Sequence, residues 1–395
     1  MAEQGEIALQ ECFAQGLGNL ASGHLPLSLK NTQLPVALLP GEGIGPELMA
    51  ACRPLFTAIE QHTAYRFDLA CGGKIGKEAL EESGSCLTDD VVAFCQQSFA
   101  RKAPLFCGPG GDRFVYQLRK KFDIYAKFVP LLPLPALQDT GPMRSATVRD
   151  VDILLIRDNV GGVYQGSWHL ESTAQGRRAR HSFHYDEGQV RRIVALAVAA
   201  ARQRRGHLCV VHKPGGTPAI SELWVDVARE CVAGSGVELR FLEVDTAAYL
   251  LLAEATSFDV VVTPNLFGDV LADAAALLLG SRGMSYSWNV NASGNAVYQT
   301  AHGAAYDLAG RGVANPLGQI QSLAALLHES FGLSQIAAAL VVACNSVLAQ
   351  GWRTADIRAP GSRLLSTAAM GAAVAEEFAA TLAASAPHRS VSQSA

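Results

Sequence analysis

Asp269 and Asp273 stand four residues apart in the stretch Asn265-Leu266-Phe267-Gly268-Asp269-Val270-Leu271-Ala272-Asp273. On a helix, that spacing puts both carboxylates on one face. Two like charges beside an apolar wall repel unless something positive lies between them. Oxygen-only ligands suit a hard ion such as Mg²⁺ or Mn²⁺. The same pair also suits an acidic first turn that complements a helix dipole. Spacing alone leaves both readings open.

Other charges close apolar runs. Arg157 ends Val151–Arg157, Lys213 follows His207–His212, and Asp245 ends Val237–Asp245. Ligands of open α/β sheets collect at the carboxyl ends of strands. A further candidate is Gly41-Glu42-Gly43-Ile44-Gly45-Pro46-Glu47, between an apolar strand at 35–40 and a helix over 48–61. Alternate glycines let a backbone turn sharply and approach a ligand. Pro46 fits the first turn of a helix. Strand, glycine loop and helix in that order suit an anion at the helix start. The spacing is GxGxG rather than GxGxxG, so it is not a Rossmann fingerprint.

The elements that must hold these residues alternate in type. Helices are expected at 74–83, 89–100, 116–122, 189–205, 274–279 and across 318–349, and strands at 104–107, 151–157, 207–212, 237–245 and 258–263. In 189–205, Val190, Ile193, Val194 and Val198 form one apolar side. Such alternation implies an α/β protein. Residues 1–34 read as an N-terminal extension, partly helical around 9–17, and 384–395 as a frayed polar tail.

Composition narrows the class. The chain has 395 residues, 49% of them apolar, enough for two domains or one large α/β unit. A net charge of −4 argues against nucleic-acid binding. No apolar run reaches the roughly 18 residues of a membrane helix. The acidic start lacks the plan of a secretory signal. The nine cysteines are scattered without a CxxC pair, which indicates neither a disulfide framework nor a zinc site. A cytoplasmic location is expected.

Taken in order, several motifs carry a family resemblance. They are Leu39 to Glu47, Leu118-Arg119-Lys120, Ile156-Arg157 with Gly161-Gly162-Val163-Tyr164, Val244 to Ala248, Asn265 to Asp273, Gly280 to Met284, and His302 to Gly310 with Ala314-Asn315-Pro316. The chain resembles the metal-dependent β-decarboxylating dehydrogenases that act on isopropylmalate, isocitrate, tartrate and D-malate, and is most similar to the isopropylmalate branch. The resemblance covers roughly residues 35 to 380. It implies a two-domain isopropylmalate dehydrogenase-like α/β fold with a shared twisted mixed sheet, distinct from the Rossmann fold. Residues 35–124 and 281–395 would form the large cofactor-binding domain, and 125–280 a small domain with the dimer interface. It also implies a homodimer with active sites shared between subunits.

The resemblance assigns roles by position. Asp269, Asp273 and the partner subunit's Asp245 would bind Mg²⁺ or Mn²⁺. The partner subunit's Lys213 would be the general base, its pKa lowered by burial and the cation. Tyr164 would protonate the enol left after decarboxylation. Arg119 and Arg157 would clamp substrate carboxylates, as planar guanidinium groups suit bidentate pairing. NAD would lie along Ile44 and the segment holding His302, Gly303, Asp307 and Asn315. An acid at Asp307 favours NAD over NADP. The implied reaction converts a 3-substituted malate, isopropylmalate-like, to a 2-oxo acid and CO₂.

Four departures bear on the substrate. Val129 stands where the family carries a second clamp arginine, and Lys127 or Arg113 are the nearby cations that could replace it. The substrate-selecting segment reads Asp112-Arg113-Phe114-Val115-Tyr116, and Arg113 there suggests an additional anionic group on the substrate. The loop His212-Lys213-Pro214-Gly215-Gly216-Thr217 is one residue longer than usual and lacks the Asn that touches nicotinamide. Tyr306 replaces a usual Pro, and Gln165 to His169 is unusual after Tyr164. These changes keep open a more anionic malate, such as phosphonomethylmalate, isocitrate or tartrate. They also keep open a non-catalytic regulatory paralogue.

Overall fold

The computed structural model describes residues 32–139 and 141–385. The expected helix at 9–17 and most of the expected tail lie outside them. In chain order the elements are β1 (Gln33–Leu39), α1 (Gly45–His62), β2 (Arg66–Cys71), α2 (Gly76–Ser83), α3 (Asp89–Ala100), β3 (Leu105–Cys107), α4 (Phe114–Lys121), β4 (Ala126–Leu131), α5 (Ser145–Val148) and β5 (Ile153–Asp158). A hairpin β6 (Ser167–Thr173) and β7 (Gly176–Ser182) follows. Then come α6 (Glu187–Gln203), β8 (His207–His212), α7 (Pro218–Val232), β9 (Glu238–Glu243), α8 (Val244–Ala253), β10 (Val260–Thr263) and α9 (Asn265–Ala275). The chain closes with β11 (Tyr286–Val290), β12 (Ala296–Thr300), α10 (Leu317–Glu329), α11 (Ser334–Ala349), a short pair β13 (Trp352–Arg353) and β14 (Arg363–Leu364), and α12 (Thr367–Ser385).

Ten strands form one sheet in the order β2-β1-β3-β12-β11-β4-β5-β10-β8-β9. The outer runs are parallel, whereas β11 and β4 are antiparallel to their neighbours and join the two halves. A Rossmann sheet is a mostly parallel doubly wound sheet of order 3-2-1-4-5-6, so this mixed order is a different α/β fold. At the join, Trp288 pairs with Phe128 and their rings stack at 5.1 Å, both fully buried. Every residue of β4 and β5 is buried, which explains their near-continuous apolar sequence.

Helices cover the sheet because each offers one apolar side. In α1, Leu48, Cys52, Leu55 and Ile59 are all buried. Its partner α12 comes so close at Gly371 that a Cβ there would collide with the Ala51 backbone. Helix α10 is buried along its whole length.

Some boundaries differ from expectation for physical reasons. Helix α6 starts two residues early, because Asp186 and Gln189 form a capping box. Strand β9 ends at Glu243, so Asp245 sits in the first turn of α8 rather than at a strand end. The helix expected over 274–279 instead begins at Asn265 and holds both Asp269 and Asp273; residues 276–279 form a tighter turn. The 167–182 hairpin was not expected from the sequence.

Candidate active site

The residues that converge come from the carboxyl end of β5, from α4 and from α9. Arg157, 2% exposed, is the hub. Its Nε and Nη2 donate to Asn265 Oδ1 at 3.1 and 2.8 Å, and its Nη1 donates to Asp269 Oδ1. Gly268 makes this approach possible, since a Cβ there would lie 2.8 Å from Arg157 Cβ. The Tyr164 hydroxyl donates to the other oxygen, Asp269 Oδ2, at 2.8 Å. Burial opposes ionisation of Asp269, but Arg157, Tyr164, Lys127 and Arg119 together hold its carboxyl below the ordinary range. Burial and the bond to that carboxylate push the Tyr164 phenol above its ordinary range.

Asp273 lies one turn further along α9 and accepts from Arg282 Nη2 at 2.7 Å. The acidic pair is therefore not left to repel: each carboxylate has its own arginine. Sequence reasoning missed Arg282 as a partner. Its only signal was membership of the Gly280 to Met284 motif.

Arg119 projects from α4 and is 6% exposed. Burial and the nearby Arg157 charge lower its pKa to about 9. Arg113 donates to the Tyr164 carbonyl at 3.0 Å and lies over the rings of Trp168 (4.5 Å) and Tyr116 (5.3 Å). The loop before α4 and the base of the hairpin thus meet beside Tyr164. Val129 is fully buried in the apolar core, in register with Leu155.

Lys213 and Asp245 form a separate group. Lys213 Nζ donates to Asp245 at 2.8 Å and to Glu243 at 2.7 Å. Bonding to Asp245, then to Glu243, raises the Lys213 pKa, and the same bond lowers that of Asp245. The lowering expected for Lys213 is thus reversed within one chain, because its ammonium is part-exposed and doubly paired with acids. Among the described residues, no hydrogen bond or ion pair joins this group to Asp269 or Asp273, and no cluster of three His, Cys, Asp or Glu side chains is assembled for a metal. Asp269 and Asp273 alone supply hard oxygen donors on one helix face, two of the three carboxylates expected.

The cofactor candidates gather in one cleft of about 390 Å³. Ile44, His302, Gly303, Asp307 and Asn315 all line it, together with Arg282. Its walls meet because Ile44 N donates to Ala304 O at 2.9 Å, and Gly43, at φ +59°, leaves no room for a Cβ against Ala304. His302 Nε2 is a buried ring nitrogen without a partner among the described residues, as a ligand-facing group would be. Asn315 is committed to Leu317 N, Asp356 and Met284. The carboxylate of Glu42 is wholly buried and accepts from the backbone N–H groups of Lys77, Glu78 and Gly111. The anion expected near this glycine loop is therefore in part the chain's own side chain, satisfying the start of α2 rather than α1.

The chain belongs to the isocitrate/isopropylmalate dehydrogenase family, whose model matches residues 35–374, the family expected from the motifs. Particular relatives narrow the kinship. The chain is 35% identical over 355 residues to the 3-isopropylmalate dehydrogenase of Moorella thermoacetica, covering 87% of this chain and 98% of that one. It is 35% identical over 356 residues to that of Rhodopirellula baltica, covering 87% and 99%. Among solved structures it is similar to isocitrate dehydrogenase from Methylococcus capsulatus, with a TM-score of 0.77 and 28% identity over 88% of this chain and 99% of that one. Membership makes this a protein of the oxidatively decarboxylating dehydrogenases. No helix among the described residues is long and apolar enough to cross a membrane.

Proposed function

We propose that this protein catalyses NAD-dependent oxidative decarboxylation of a 3-substituted malate, giving a 2-oxo acid and CO₂. The observation that carries the reading is the Asp269 carboxylate, bonded at one oxygen by Arg157 and at the other by Tyr164, with Asp273 one turn away. That grouping supports a reading in which Tyr164 is the acid, Arg157 a clamp, and Asp269 and Asp273 two of the metal donors.

Residues present in each chain would do the following work. Arg119 and Arg157 orient the substrate's carboxylates. Lys213, reaching from the partner subunit, takes the 2-hydroxyl proton. Tyr164 delivers a proton to C3 once CO₂ has left. A phenol is protonated at neutral pH, as an acid must be, and the upward shift of Tyr164 keeps that state. NAD in the cleft beside Ile44, His302 and Gly303 would supply the hydride acceptor, and Mg²⁺ or Mn²⁺ held by Asp269, Asp273 and the partner subunit's Asp245 would supply Lewis-acid polarisation. Asp307, whose carboxylate has no hydrogen-bond partner among the described residues, would take the ribose hydroxyls and repel a 2′-phosphate.

A homodimer fits the surface. Tyr249 on α8, Val270 on α9, and Trp168 and Leu170 on the hairpin are all large apolar residues more than half exposed. On this reading residues 35–124 and 281–385 carry the cofactor cleft, and 125–280 the dimerising half.

A second reading concerns the substrate's side group. Arg113 is held beside Tyr164 by that residue's carbonyl and by the rings of Trp168 and Tyr116, with no carboxylate partner among the described residues. That favours a 3-substituent bearing its own negative charge over an isopropyl group. NADH formation with Mn²⁺ across neutral and anionic 3-substituted malates tests both. Preference for isopropylmalate over anionic analogues removes the second reading, and no turnover with any malate removes the first.

A further inference from the structure

Strand β4 carries a side chain that this chemistry has not used. Lys127 is 3% exposed, in register between Arg157 on β5 and Asn289 on β11, so the three share one face of the sheet. Phe128, Val129 and Pro130 beyond it are apolar and buried, so the strand could hold a neutral residue here without loss of packing.

Its ammonium makes no hydrogen bond or ion pair among the described residues, and neither does the buried Arg119 guanidinium. Burial first, and then the charges of Arg119 and Arg157, hold the Lys127 amine well below its ordinary pKa, against the opposing pull of Asp269 and Asp273. Both acids are already taken, Asp269 by Arg157 and Tyr164 and Asp273 by Arg282. A buried amine and a buried guanidinium, neither with a partner, are stabilised when an anion joins them, and the amine then holds its proton. That anion has to arrive with a ligand.

We propose that Lys127 is a substrate-binding, specificity-determining residue whose ammonium pairs with a carboxylate of the bound acid. It takes over, from two positions earlier on the same strand face, the contact that Val129 cannot make. Arg119 and Lys127, buried basic groups without a hydrogen-bond partner among the described residues, match a 2-hydroxy acid with two carboxylates, while Arg157, bound to Asp269, orients them by its charge. This rests on the functional reading above.

The test uses the full-length protein with Mn²⁺. In K127M the KM for the hydroxy acid should rise about tenfold to a hundredfold, the range for losing one charged hydrogen bond, with the KM for NAD unchanged. K127R should recover part of the loss. Without ligand, K127M should melt at or above the wild-type temperature, since a buried amine without a hydrogen-bond partner is removed. D-malate should raise the melting temperature of wild type, and K127M should need about tenfold to a hundredfold more D-malate for the same shift. A merely structural lysine would instead lower the ligand-free melting temperature and move both KM values. That outcome, a malate shift in K127M at the same concentrations as in wild type, or no malate shift in wild type overturns the proposal. The melting arm needs no turnover, so an inactive wild type that still shows a Lys127-dependent shift counts against the reaction and not against the site.

Discussion

Tyr164 and Asp269 share a hydrogen bond of 2.8 Å, phenol to carboxylate, and the other oxygen of that carboxylate is held by Arg157. One acid therefore fixes both a proton donor and a buried guanidinium. Removing only the proton should separate these functions. Tyr164→Phe is expected to lower kcat by about 10²- to 10⁴-fold while leaving the Mn²⁺ affinity within a few-fold of wild type. Calorimetric titration beside steady-state rates checks this. Equal loss of both would mean that Tyr164 shapes the site rather than serving as its acid.

The acidic pair should behave as a unit towards a hard cation. Asp269→Asn and Asp273→Asn should each weaken Mn²⁺ binding at least tenfold. Asp269→Asn should also cost about 1–3 kcal/mol in ligand-free stability, because Arg157 is left buried with a neutral partner. Asp273→Asn should cost less, since the Arg282 pair is exposed. Chemical denaturation and metal titration read the two effects separately.

Gly268 provides a steric test of the same geometry. A methyl group there meets Arg157 and Thr263, so Gly268→Ala should displace the arginine and raise the substrate KM more than the KM for NAD. An unchanged substrate KM would show that the close packing of α9 on β5 is dispensable.

Cofactor choice should depend on Asp307. Asp307→Ala is expected to narrow the preference for NAD over NADP by at least tenfold in kcat/KM, mostly through a better NADP KM. A ratio that does not move would place the discriminating charge elsewhere in the cleft.

Asp158 gives a pH signature independent of activity. Buried at the end of β5 and bonded by Gly161 and Tyr185, it has its pKa raised from 3.8 to about 6, chiefly by burial. Between these values the folded protein keeps a proton that the unfolded chain has lost. Its contribution to stability therefore falls as pH rises from about 4 to 6, by about 2–3 kcal/mol. Asp158→Asn should gain on wild type over that window in urea unfolding. A difference independent of pH would contradict the shift.

Much of this was legible in the sequence because local rules and burial agree there. Runs such as Val260 to Thr263 and the Leu48, Cys52, Leu55, Ile59 stripe define their elements directly. Asp269 and Asp273 do share a helix, as their spacing implied. What stayed hidden depends on pairing between distant segments. Arg282 on Asp273, Glu42 on the start of α2, and Arg113 on Trp168 join residues whose sequence separation carries no periodic signal. The hairpin at 167–182 was hidden for another reason. Its residues are almost all exposed, and its only apolar ones, Trp168, Leu170 and Ala179, lie on a face without a core to cover. The missing clamp arginine was visible as Val129, but only the register of β4 with β5 puts Lys127 beside Arg157.

If Asp269, Tyr164 and Arg157 serve oxidative decarboxylation of a malate, NADH and CO₂ must form together. Both are followed at once, by NADH absorbance and CO₂ release, with Mn²⁺, NAD and a panel of 3-substituted malates. The account predicts equimolar NADH and CO₂ with at least one of them, abolished by chelation of the metal. No NADH with any malate, or NADH without CO₂, would contradict it.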